Sequence, residues 1–142
     1  MKVSARNVFQ GKVREVRAGA VNSEVVLELA GGETLVAVVT VESVNSLKLA
    51  AGAAAVALVK APWVVLMTEA SDIRLSARNC LPGKVVSVTD GAVNAEVVIE
   101  LAGGTQVYSI VTRDAVEELG LVPGAAATAV IKASHVILGV PA

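Results

Sequence analysis

The chain is poor in the residues on which most enzymes and nucleic-acid-binding proteins depend. Its 142 residues include one cysteine, one histidine and three aromatic side chains. A single cysteine, Cys80, cannot form an internal disulfide and fits a reducing compartment, and no Cys/His cluster has metal-site spacing. The formal net charge of −1 shows no basic excess, so the composition does not indicate a general nucleic-acid surface.

Apolar residues are abundant instead, at 54% of the sequence, against about 45–50% in ordinary domains. Residues 49–67 carry a single charge and are long enough to span a bilayer. Gly52 and Pro62 interrupt the stretch, however, and Lys60 would be costly in lipid. We therefore expect two adjacent buried strands here. The N-terminal MKVSARN also lacks the apolar segment of a signal peptide.

The sequence is an internal repeat with a constant offset of 72 residues. The segment SARN at 4–7 recurs at 76–79, and GAVN at 19–22 recurs at 91–94. This period exceeds the roughly 20–50 residues of solenoid repeats. We therefore predict two small domains, residues 1–70 and 71–142. Each is marginal for an independent core, so we expect packing between copies and between chains.

Each copy has the pattern of five strands and one short helix. In the first copy, residues 8–16 and 24–29 predict strands, and Gly31-Gly32 closes a hairpin to an apolar run, 35–39, typical of a central strand. Thr40 is a good N-cap with an acidic residue in the turn that follows. Two strands come next, at about 53–60 and 63–68. The predicted fold class is all-β, with two tandem OB-fold-like five-stranded barrels, each with one short helix. Another small closed barrel stays open, because element order alone does not separate the two.

The repeat also tests which residues can serve a chemistry shared by both copies. His135 stands where the first copy has Trp63, and Cys80 stands where it has Val8. A shared site can therefore use neither the imidazole nor the thiol, and no Ser-His-Asp set is repeated. Four glutamates that alternate with apolar residues are interpreted as a solvated strand face, not as catalytic carboxylates. They are Glu24, Glu28, Glu96 and Glu100.

Aromatic side chains that could stack on nucleic-acid bases do not recur in both copies. Phe9, Trp63 and Tyr108 are replaced in the other copy by leucine, histidine and valine. Single-stranded nucleic-acid binding by an OB fold needs such platforms and a basic groove. That function is therefore a disfavoured alternative.

Hydrogen-bond donors in turns and at strand ends do recur in both copies. Hydroxyl, amide, guanidinium and ammonium groups, with open turn N–H groups, are what an oxyanion requires. Three or four charge-assisted bonds of roughly 1.5–3 kcal/mol each can reach micromolar affinity after association costs. A structural reading stays open, with SARN as an ordered start of the chain and Lys60 as a strand-end side chain.

Taken in order, these segments resemble the molbindin (Mop) family. The resemblance rests on SARN, GKV, GAVN–E, GG, VVT–ES–V–L and LVKA, a set that occurs twice and covers nearly the whole chain. It implies an OB-type fold in each half and cytoplasmic binding of molybdate, and of tungstate, for storage or homeostasis. It further implies a homotrimer with sites at domain and subunit interfaces, no catalytic cofactor, and metal bound only as the oxyanion.

The resemblance assigns site residues by position. In the first copy the donors on one side of an interface are Ser4, Arg6, Asn7 and Lys60, completed by Ala20, Val21 and Asn22 of a neighbouring domain. The second copy repeats the set as Ser76, Arg78, Asn79, Lys132, Ala92, Val93 and Asn94. Thr40, Ser43 and Thr112 are further candidates at helix starts. The copies differ where Ser43 becomes Ala115 and Pro62 becomes Ser134, so the two halves are expected to bind unequally there.

Other function classes remain as alternatives to molybdate storage. One is a molybdate-sensing module that docks onto another protein. An enzyme is not expected, because neither an acid–base pair nor a nucleophile set is repeated.

Overall fold

The computed structural model describes residues 1–69 and 72–142, which form two five-stranded antiparallel sheets. The first half contains β1 (Asn7–Ala18), β2 (Asn22–Leu29), β3 (Thr34–Thr40), α1 (Val41–Leu47), β4 (Ala54–Val59) and β5 (Val65–Met67). The second contains β6 (Asn79–Asp90), β7 (Asn94–Leu101), β8 (Gln106–Thr112), α2 (Arg113–Leu119), β9 (Ala126–Ile131) and β10 (Ile137–Gly139). A 3-10 turn precedes each last strand, at Ala61–Trp63 and Ala133–His135. The predicted element order and fold class are confirmed.

The two halves exchange their last strands. The hydrogen-bonded orders are β10-β4-β1-β2-β3 and β5-β9-β6-β7-β8. Ile137 lies opposite Leu58 in the first sheet, and Val65 lies opposite Val130 in the second. Each sheet is therefore completed by the other half. The predicted boundary between residues 70 and 71 falls outside the described residues and stays a prediction.

A single apolar core runs through both halves. Leu27 and its repeat counterpart Ile99 are fully buried. Both belong to one cluster of buried apolar side chains to which every strand of the two sheets contributes. Full burial of such a side chain contributes about 1.5–3 kcal/mol. The shared core and the exchanged strands give these small halves a stability that neither has the size to supply alone.

Helix α1 begins as its sequence predicts. The hydroxyl of Thr40 accepts a hydrogen bond from the Ser43 N–H at 3.0 Å, and Val44 and Leu47 pack against the core. The second copy repeats the cap between Thr112 and the Ala115 N–H at 3.1 Å. An N-cap of this kind contributes about 1 kcal/mol.

The prediction of a central strand at residues 35–39 is wrong, because β3 lies at the end of its sheet. The second half covers this edge: the Asn79 side chain bonds to the backbone of Val36, and the 3-10 turn Ala133–His135 packs against β3. Val26 pairs with Val36 in the sheet. It is buried, although the alternation of side chains along β2 predicts that it points away from the core. An apolar run indicates that a strand is buried, but it does not indicate which element covers the strand.

The apolar stretch at residues 49–67 contains β4 and β5, joined by a 3-10 turn. Trp63 lies in that turn, so the last strand begins at Val65 rather than at residue 63. Across residues 1–69 and 72–142, no helix has both the length and the apolar character to cross a membrane.

Candidate oxyanion-binding site

Ser4 and Lys60 line one cavity of about 410 Å³ beside the end of β4. Leu58, near the end of β4, and Lys60, directly after it, both line this cavity. The Lys60 Nζ lies 5.4 Å from the centre of the Trp63 ring, a cation–π distance. The remaining lining comes from Val3, Ala5 and, from the other half, Ile137. The structure thus places Ser4 and Lys60 on one cavity whose other lining residues are apolar.

Arg6 and Arg78 are bound to carboxylates of the opposite half. Arg6 Nε and Nη2 donate to the two Glu96 oxygens at 3.0 and 2.9 Å, and its guanidinium lies 4.8 Å from the Tyr108 ring centre. Arg78 makes the equivalent two-pronged pair with Glu24. Planar guanidinium groups favour this bidentate geometry. The two guanidinium groups, which the resemblance predicts to face an oxyanion, therefore bind glutamates of the same chain.

This pairing corrects the interpretation of the repeated glutamates. Glu28 and Glu100 are exposed, as predicted for a solvated strand face. The side chains of Glu24 and Glu96 are only 18% and 28% exposed, and each is the ion-pair partner of an arginine of the other half. Their recurrence in both copies was the available signal, but it did not identify the arginine of the other half as the partner.

Asn7 and Asn79 also join the halves. Asn7 is 1% exposed; its Nδ2 donates to the Tyr108 carbonyl at 2.8 Å, and its Oδ1 accepts from the Tyr108 N–H at 2.7 Å. Asn79 bonds in the same way to Val36 at 2.8 and 2.7 Å. Each amide acts like one more residue of a neighbouring strand. We call the two arginines, two asparagines and the groups that they bind the inter-half clasp. Anion binding by Arg6, Asn7, Arg78 and Asn79 stays a prediction.

The turn at residues 19–22 presents backbone donors to solvent. The Gly19 N–H donates to the Asn22 carbonyl at 2.9 Å, and the Val41 N–H donates to the Val21 carbonyl at 2.9 Å. The N–H groups of Ala20 and Val21 have no acceptor among the residues that the structure describes, and Val21 is 72% exposed. Consecutive open N–H groups form an anion-binding concavity.

The second copy of the turn has the same arrangement. Gly91 donates to Asn94 at 2.7 Å and Arg113 to Val93 at 3.0 Å. The backbone donors of Ala92 and Val93 likewise find no acceptor in the described ranges. Each copy therefore presents two open N–H groups in this turn, and anion binding by Ala20, Val21, Asn22 and their counterparts stays a prediction.

The helix start lies beside this turn, because Val41 bonds to Val21. Thr40 uses its hydroxyl in the cap and donates to the Ser43 Oγ at 2.8 Å, which leaves the Ser43 hydroxyl hydrogen free to donate elsewhere. Ala115 supplies no such group in the second copy. The turn and helix start form one donor group, whereas Ser4 and Lys60 form another, and no turn residue lines the Ser4–Lys60 cavity.

The residues that the repeat comparison excluded from a shared site are His135, Cys80 and the aromatic residues, and the structure shows where they lie. The His135 ring lies against the Trp63 ring at a tilt of 33°, with centroids 5.2 Å apart, so the equivalent positions of the two copies meet. Phe9 is buried and Cys80 is exposed. In the described part of the chain, no group of three or more His, Cys, Asp or Glu residues is placed to hold a metal ion.

Comparison with known proteins agrees with this architecture. The TOBE domain family matches residues 3–66 and 75–138. The molybdenum-pterin-binding protein MopA of Rhodobacter capsulatus is 43% identical over 141 residues, covering 99% of this chain and 53% of its own length. The molybdenum transport protein ModE of Azotobacter vinelandii is 46% identical over 140 residues, covering 99% and 52%. The chain thus spans about half the length of these curated relatives.

A solved structure matches the chain from end to end. It is a crystal form, with molybdate bound, of the cytoplasmic molybdate-binding protein ModG. The identity is 63%, the TM-score is 0.96, and the match covers 99% of this chain and 100% of that one. The chain belongs to the TOBE domain family, with two copies of the domain, and its predicted resemblance to the molbindin (Mop) proteins is confirmed.

Proposed function

We propose that this protein binds molybdate at the seams between its domains and subunits. The observation that carries the proposal is the cavity shared by Ser4 and Lys60, together with open turn N–H groups in each copy. All of these groups donate hydrogen bonds, and a fully ionised tetrahedral dianion offers only acceptors. The 63% identical relative with molybdate bound supports the same ligand.

The two donor groups do not share a cavity within one chain, so we propose that assembly brings them together. In a homotrimer of two-domain chains, the 20–22 turn of one domain would complete the Ser4–Lys60 cavity of another. A tetrahedral anion also has three equivalent oxygens about its own axis, which suits a site on a three-fold axis. Val21 and Val93, each 72% exposed, are apolar surface that such contacts would cover.

The wider role follows from this chemistry. We propose binding without catalysis, in the cytoplasm, for molybdenum storage or homeostasis, with tungstate as a second ligand. Tungstate has the same charge and shape as molybdate, so a site made of hydrogen-bond donors accepts both. The relative described as cytoplasmic supports the location.

Calorimetry tests the ligand, and intact-complex mass spectrometry tests the assembly. We expect molybdate and tungstate to bind at micromolar concentration or below, about −8 kcal/mol or stronger, and sulfate to bind more weakly. The intact complex should have the mass of three chains and carry bound anions. Equal affinity for sulfate, or no binding of either metal oxyanion, would refute the proposal.

A sensing role is the second candidate, because the chain matches about half of a longer ModE relative. In that role the bound anion changes how the protein docks onto another one. A pull-down from lysate with and without molybdate tests it. Partners captured only with molybdate would favour sensing, and an unchanged set would favour storage.

A further inference from the structure

The exchanged strands each carry an apolar residue that is not buried. Ile137 in β10 is 52% exposed, and its repeat counterpart Val65 in β5 is 59% exposed. Both are the first residue of their strand, and both have crossed into the sheet of the other half. Exposure of an aliphatic side chain at the same place in both copies is not explained by the core of either half.

The surroundings of Ile137 indicate a use for it. Ile137 pairs with Leu58, and it lines the same cavity as Ser4 and Lys60. One part of the apolar wall of this cavity therefore comes from the second half, and Val3, Ala5 and Leu58 of the first half supply the rest. The register places Val65 opposite Val130, the counterpart of Leu58, and Lys132 lies two residues beyond Val130. Because the two copies repeat, we expect an equivalent cavity beside Lys132, with Val65 of the first half at the place that Ile137 has in the Ser4–Lys60 cavity.

We propose that Ile137 and Val65 set the oxyanion affinity and selectivity of the two cavities and make them unequal. The proposal rests on the proposed function, since it assigns a role to the walls of that site. An aliphatic wall excludes water, and the attraction between a lysine and an anion strengthens as the local dielectric falls. The isoleucine covers more of its cavity than the valine does, so the Lys60 cavity is the tighter one.

The same wall favours large anions. It offers no hydrogen bond to replace lost water, so the bound ion must give up part of its hydration. That penalty falls as the ionic radius grows at equal charge, as in the Born description of ion transfer. Molybdate, which is larger than sulfate, therefore benefits more from the isoleucine wall.

The test is a reciprocal exchange of the two wall residues in backgrounds that isolate each cavity. In Lys132→Ala protein, the calorimetric binding step that is lost when Lys60→Ala is added reports the Lys60 cavity, and Ile137→Val should weaken that step about threefold to fourfold, the equivalent of one methylene. The ratio of the sulfate to the molybdate Kd should fall as well. In Lys60→Ala protein, Val65→Ile should strengthen binding by a similar factor, and Ile137→Val should change nothing.

Two exposed residues outside the cavity provide matched controls. Ile73 is 67% exposed and Val122 is 60% exposed, so Ile73→Val and Val122→Ile repeat the same chemical changes elsewhere and should leave every Kd unchanged. Because the wall positions are themselves about half exposed, the unfolding temperatures should stay near wild type.

The outcomes separate the two proposals. Failure of the wild-type protein to bind molybdate would remove the proposed function. Normal wild-type binding with an unchanged Kd in both wall variants would overturn this inference alone. A change caused equally by the wall variants and by the controls would overturn it too.

Discussion

At the scale of single residues, the repeated donors have two different roles. Ser4 and Lys60 face a cavity, whereas Arg6 and Asn7 hold the opposite half. All are polar residues near the start or end of a strand, so their sequence pattern is the same. Only the position of the second half shows that Arg6 and Asn7 have hydrogen-bond partners within the chain.

The lysines provide the first prediction at this scale. We expect Lys60→Ala and Lys132→Ala each to remove part of the bound molybdate, because the two lysines occupy equivalent positions in different halves of the chain. Intact-complex mass spectrometry counts the anions that remain per assembly. Lys12→Ala is the control, since Lys12 also recurs as Lys84 but lies outside the Ser4–Lys60 cavity. Unchanged stoichiometry in both variants would remove the lysines from the site.

The clasp asparagines provide the second prediction. Asn7→Ala removes two hydrogen bonds and leaves the N–H and carbonyl of Tyr108 without partners at a buried contact. We expect a loss of about 2–4 kcal/mol in the free energy of unfolding, measured by urea titration. Asn45→Ala, at an exposed position of α1, should lose less than about 0.5 kcal/mol. Equal stability of the two variants would contradict the clasp.

At the scale of elements, local patterns predicted most of what the structure contains. The hairpin at Gly31-Gly32, the Thr40 cap and the order of five strands follow from turn chemistry, capping and periodicity, all of which act over a few residues. The position of β3 was wrong for the same reason. Its apolar run has the same appearance whether another strand or the opposite half covers it.

The C-terminal ends of the helices give a prediction for elements. Each helix ends in a left-handed residue, Lys48 with φ 54° in α1 and Gly120 with φ 64° in α2. Glycine adopts this conformation without steric cost, but lysine does not. Lys48→Gly relieves this steric cost but also increases the entropy of the unfolded chain, which offsets part of the gain. We expect a net increase of about 0.5 kcal/mol in the free energy of unfolding. Thermal unfolding measures it, with Gly120→Lys as the reverse change; a loss of stability in Lys48→Gly would contradict the argument.

At the scale of the whole molecule, the halves are complementary and not merely similar. The hairpin tips meet, where the Glu33 carboxylate accepts from the Gly103 N–H at 3.1 Å and from the Thr105 hydroxyl at 2.6 Å. Glu33 and Thr105 occupy the same position in the two copies. Trp63 and His135 are another such pair in contact. Divergence at these contacts favours pairing of a first half with a second half.

This complementarity predicts the effect of making the halves alike. Thr105→Glu places a second carboxylate beside that of Glu33, and like charges in contact destabilise. We expect a loss of about 1–3 kcal/mol in the free energy of unfolding, measured by urea titration. Thr105→Gln introduces a side chain of nearly the same size as glutamate but without its charge. It should lower the free energy of unfolding clearly less. If the two variants lose the same amount, size and not charge governs this contact.

The sequence by itself determined the repeat, the two β-rich copies, the helix caps and the chemical type of the donors. These features depend on local periodicity and on residue chemistry, which two copies in one chain allow to be compared. The tertiary structure alone decided the strand exchange, the pairing of Arg6 with Glu96, and the delivery of Ile137 to the Ser4–Lys60 cavity. Each of these joins residues more than 60 positions apart. Such contacts form because two small halves must share a core, and no local pattern records which partner each will meet.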